Sequence, residues 1–73
     1  MIRKIAKRIK DEVSARTSFP VDFKEKKVNS TGDLLLQVGA KGKHLAGFVI
    51  PDDAADSYVS DIIDHIIQKC KNL

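Results

Sequence analysis

Three stretches of this chain hold residue types that could do chemistry. Asp61, Asp64 and His65 stand at i, i+3 and i+4 of a helical pattern, which brings three potential metal ligands to one side of a helix. A metal site normally draws further ligands from other elements, and His44 is the one other histidine in the chain. A solvated polar face is the better reading, and no metal is expected. Gly39-Ala40-Lys41-Gly42-Lys43 has the glycines and lysines of a phosphate loop. Such a loop needs wider glycine spacing, a Ser or Thr after the lysine, and a helix whose N-terminus faces the anion. Here His44 and then a strand pattern follow, so the segment reads as a hairpin turn. Cys70 is the single cysteine, with no fixed base beside it, and reads as a small buried apolar residue.

Nucleophilic and acid–base chemistry find no better footing. Ser14, Ser18, Ser30, Ser57 and Ser60 lie outside any nucleophile-elbow pattern. Paired carboxylates fall at capping or exposed positions. A chain of 73 residues makes one domain, residues 1–73, with little concave volume for a substrate. The expectation is a non-enzymatic protein with no cofactor.

The elements that position these residues follow from periodicity. Residues 2–16 read as a helix, with Ile2, Ile5, Ala6, Ile9 and Val13 on one side and basic residues on the other. Pro20 disfavours helical geometry at Phe19 and marks the change. From Phe19 to about Val28 the period is two. Asn29-Ser30-Thr31-Gly32-Asp33 is a turn cluster, Leu34 to Val38 a second strand, and His44 to Ile50 a third. Pro51-Asp52-Asp53 ends the sheet, with Asp52 placed to cap a last helix and Asp53 and Asp56 to oppose its dipole. Ala55, Val59, Ile62, Ile63, Ile66, Ile67 and Cys70 form the apolar stripe of that helix.

The fold class is therefore α+β. It is a two-layer α-β-β-β-α protein, with a three-stranded antiparallel meander packed against an N-terminal and a C-terminal helix. The order is similar to that of double-stranded-RNA-binding domains. That family places lysines at the start of its last helix, where this chain has Asp52, Asp53 and Asp56, and no membership follows.

Charge is unevenly placed. Residues 1–50 carry eleven basic and five acidic groups, and residues 51–73 carry two basic and five acidic. One explanation is structural: the two helices lie side by side with opposite charges along the seam. Another is nucleic-acid binding by Arg3, Lys4, Lys7, Arg8 and Lys10 on the first helix with Lys41 and Lys43 on the turn. The first helix lacks the Trp or Phe anchor of a membrane-surface helix, and no apolar run approaches the ~20 residues of a span. Ile2, Ile5 and Ile9 alternate with basic residues, unlike the apolar core of a signal peptide. With a lone thiol, the expectation is a cytoplasmic protein without a membrane partner.

If both helices cover one sheet face, the other carries Asp22, Lys24, Leu35, Gln37, Leu45, Gly47 and Val49. Leu35, Gln37, Leu45 and Val49 would then form an interface for a protein partner or a homodimer. The leading expectation is a small protein–protein interaction module, an inhibitor or regulator of the size common among phage and mobile-element proteins. The alternatives are the nucleic-acid binder and a small homo-oligomeric assembly component.

Overall fold

The computed structural model describes residues 2–28 and 30–73, without the side chains of Ile2 and Arg3. Three residues read from the sequence therefore lie outside the described residues: the side chains of Ile2 in the helical stripe and Arg3 in the basic patch, and Asn29 in the turn cluster. The order is α1 (Ile2–Arg16), β1 (Val21–Lys27), β2 (Leu34–Ala40), β3 (Lys43–Ile50) and α2 (Asp56–Lys71). The strands form one antiparallel sheet in the order β1-β2-β3, which is the α+β meander that the periodicity indicates.

Alternation in β2 decides which way the sheet faces. Leu34, Leu36, Val38 and Ala40 are buried, while Leu35 and Gly39 are half-buried and Gln37 is exposed. Both helices pack on the even face. Ala6, Ile9 and Val13 of α1 join Val59, Ile62, Ile63, Ile66, Ile67 and Cys70 of α2 in a single core with β2 and Ile50. α1 lies over β1, tied by an ion pair between Lys10 and Glu25. α2 lies over β3, where the His65 ring meets Phe48 edge-on at 5.6 Å. Opposite charges do meet along the helix seam: Arg8 reaches Asp56 at 3.4 Å and Arg16 reaches Asp64 at 3.5 Å.

Three local features depart from the sequence reading, each for a physical reason. Strands β2 and β3 extend further toward each other, leaving Lys41-Gly42 as a two-residue loop. Both residues have positive φ, 53° and 74°, the type I′ geometry whose twist matches a hairpin. Helix α2 begins later than Asp52. The N–H of Ala54 donates to the carbonyl of Pro51 at 3.1 Å, closing a turn that holds Asp52 and Asp53 ahead of the helix. Ala55 is the N-cap, in extended geometry and with no side-chain cap hydrogen bond. It is exposed, and Ala54 packs against the core in its place.

The third departure moves a candidate interface residue. Val38 pairs with Ala46, but Gly39 pairs with His44, so Leu45 is an extra residue in β3. This bulge reverses the alternation, and Leu45 packs against the core instead of joining Leu35, Gln37 and Val49 on the outer face. Gly39 is what allows the bulge, because a Cβ there would sit 2.9 Å from the Lys43 carbonyl oxygen.

Candidate binding surface

The face of the sheet turned away from the helices is built in rungs set by strand register. Asp22, Gly39 and His44 form the rung nearest the β2–β3 hairpin. Lys24, Gln37 and Gly47 form the next, and Lys26, Leu35 and Val49 the third. No described element covers these rungs: Asp22, Lys24, Lys26, Gln37, His44 and Gly47 are exposed, and Val49 is 53% exposed. For a β-branched residue in a strand that exposure is high, and with half-buried Leu35 opposite it makes one apolar rung at the end of a polar face. Tyr58, in the first turns of α2, donates its hydroxyl to the Val49 carbonyl at 2.8 Å and fastens that end of β3 to the helix.

The dimensions limit what the face can hold. Three strands about 4.8 Å apart and seven residues rising about 3.3 Å each give a footprint of roughly 14 Å by 23 Å, or about 330 Å². A stable complex buries about 800 Å² on each partner. Two copies meeting flat on this face alone would fall well short.

The basic helix looks different in three dimensions from its appearance in one. Lys7 is 2.7 Å from Asp11, and Arg8 is 2.8 Å from Glu12 as well as paired with Asp56. Lys10 pairs with Glu25 and Arg16 with Asp64. The Asp11 carboxylate pushes the Lys7 ammonium above its ordinary pKa, through a hydrogen bond first and charge second. Of the cations read as a phosphate-binding row, Lys7, Arg8 and Lys10 would have to exchange a carboxylate for each phosphate. Lys4 is exposed. On the hairpin, Lys41 lies 4.6 Å from the centre of the Phe19 ring, a cation–π contact, and Lys43 is exposed.

The helical ends, residues 1–20 and 51–73, together hold eight basic and seven acidic groups. Residues 21–50 hold five basic and three acidic. The excess positive charge therefore lies mainly with the sheet. The alternation read from the sequence sets Lys24 on this face, and the strand register adds Lys26 and His44. The period-two pattern that marked the strand could have assigned Lys26, and only the bulge assigns His44.

Of the three candidate ligands on α2, Asp61 is exposed, while Asp64 and His65 have partners within the fold. Asp64 accepts from Arg16, and His65 meets the Phe48 ring edge-on. Among the described residues, no group of three or more His, Cys, Asp or Glu is placed to hold a metal ion. Cys70 is buried at 6% exposure, and that burial pushes its thiol above its ordinary pKa. No helix among the described residues is long and apolar enough to cross a membrane. No protein-family model matches the chain, and no curated protein or solved structure matches it either.

Proposed function

We propose that this chain is a non-enzymatic protein-interaction module, an inhibitor or regulator that works by occupying a partner with its outer sheet face. The observation that carries this reading is the uncovered face itself, with Val49 exposed beside Leu35 and polar rungs leading away from them. A face left open by both helices displays side chains to a partner at no cost to the core. The pairing of Lys7, Arg8, Lys10 and Arg16 with carboxylates favours this surface over the basic helix as the contact site. A different protein can extend its contact beyond the roughly 330 Å² of this face, toward the area a stable complex buries.

The test is affinity capture from the native cell, with and without nuclease treatment, using the natural chain and a Gln37→Glu, Val49→Asp variant. Both substitutions lie on exposed positions and leave the core untouched. A protein retained by the natural chain and lost with the variant supports the reading. Partners that vanish on nuclease treatment with either chain contradict it and favour nucleic acid.

A further inference from the structure

Two open depressions lie end to end on the outer face. One, of about 220 Å³, is bounded by Asp22, Lys24, Gln37, Gly39, Lys43 and His44. The other, of about 230 Å³, is bounded by Lys24, Glu25, Lys26, Leu35 and Gln37. They share Lys24 and Gln37, so together they make one shallow groove along β1 and β2. The glycine at position 39 creates its hairpin end, because no side chain rises there between Asp22 and His44.

The charges along this groove are unbalanced. Lys24 and Lys26 rise from the outer face, Lys43, opposite Ala40, borders its hairpin end, and the one unengaged carboxylate along the groove is Asp22, because Glu25 is engaged by Lys10 of α1. Among the described residues no carboxylate lies within ion-pair distance of those three lysines. At the far end the groove meets the apolar rung of Leu35 and Val49. We propose that this groove docks an acidic segment of a partner protein, its carboxylates against Lys24, Lys26 and Lys43 and an apolar side chain over Leu35 and Val49. The proposal rests on the reading of the chain as a protein-interaction module.

Size and chemistry select this occupant. A face roughly 14 Å wide takes one helix or one extended segment. Single-stranded nucleic acid binds on aromatic platforms, and here Phe23 and Phe48 turn toward the helical layer and pack on the core. Lysine ammoniums are point charges that accept carboxylates in many orientations, which suits a segment held mainly by electrostatics. A buried footprint this small gives weak, fast-exchanging contact unless the partner continues beyond the groove.

The test uses the full chain, labelled with nitrogen-15, titrated separately with an alternating Glu-Leu octapeptide, an alternating Lys-Leu octapeptide and an octamer of thymidylate. The Glu-Leu peptide is expected to shift the amides of Lys24, Gln37, Gly39 and Val49. A Lys24→Glu, Lys43→Glu variant is expected to weaken it about tenfold. Unchanged α2 resonances in the variant show that it has folded. Equal binding of the two peptides on this face overturns the acidic preference while leaving the interaction module standing. No peptide footprint on the face overturns both. Tighter binding of the thymidylate octamer there overturns the choice of a protein partner.

Discussion

Arg16 and Asp64 meet 3.5 Å apart across the helix seam, and eight residues earlier on both helices Arg8 and Asp56 repeat the contact at 3.4 Å. The equal spacing means that α1 and α2 run in the same direction. An odd number of antiparallel strands between them requires this, since each strand reverses the chain.

These pairs decorate the seam and do not hold it. Arg16 and Asp64 are 50% and 68% exposed, so a double-mutant cycle of Arg16→Ala and Asp64→Ala should give a coupling below about 1 kcal/mol that shrinks with salt. Ile66→Ala, at a fully buried site, should cost about 2–5 kcal/mol. Urea unfolding measures both. A coupling larger than the Ile66→Ala cost would reverse this ranking.

The α2 N-terminus offers a gain. Ala55 has φ −72° and ψ 155°, the extended geometry of an N-cap, but brings no side-chain acceptor. Ala55→Ser or Ala55→Asp should supply one for the open N–H groups of the first turn and add about 1 kcal/mol. For a domain of this size that is a rise of about 4–8 °C in melting temperature. A thermal melt of either variant at or below the natural midpoint would be inconsistent with the assigned cap.

Two glycines on the outer face should respond in opposite directions. A Cβ at Gly39 would meet the Lys43 carbonyl oxygen at 2.9 Å, whereas one at Gly47 meets nothing within 4 Å. Gly39→Ala should therefore destabilise by about 1–3 kcal/mol through displacement of backbone at the bulge. Gly47→Ala should be neutral or stabilise by up to about 1 kcal/mol by restricting the unfolded chain. Matched denaturation curves decide this, and equal losses at both sites would argue against the bulge.

Burial gives Cys70 a pH signature. Its folded pKa lies above the ordinary value of 9.0, so the folded state keeps the thiol proton longer than the unfolded state does. At lower pH both states are protonated and nothing is lost. As pH rises past the ordinary value, the unfolded thiol ionises first and stability falls until the folded thiol follows. Denaturation at a series of alkaline pH values should show this extra decline in the natural chain and not in Cys70→Ala. Parallel curves for the two proteins would contradict it.

The element order was legible because each segment keeps its own period. Ile5, Ile9 and Val13 mark one turn-and-a-fraction face, and the Phe19, Val21, Phe23 alternation marks a strand start within two residues of Val21. What was not legible depended on geometry between strands. Leu45 alternates correctly with its neighbours in sequence, and only the register against Gly39 turns it inward. The capping role read for Asp52 failed because Pro51 and Ala54 closed a turn first. The basic helix reads as a charged surface although Asp11 and Glu12 stand one turn from Lys7 and Arg8, and its other acidic partners, Asp56, Asp64 and Glu25, arrive from distant parts of the chain.

The central claim is that contact with a partner is made through the outer sheet face. Site-specific photo-crosslinking in the native cell tests it most directly, with the reactive residue placed at Gln37 in the middle of that face or at Lys7 on the exposed side of α1. The account predicts a protein adduct of defined mass from position 37 and none from position 7. Adducts from position 7 alone, or nucleic-acid adducts from either, would contradict it.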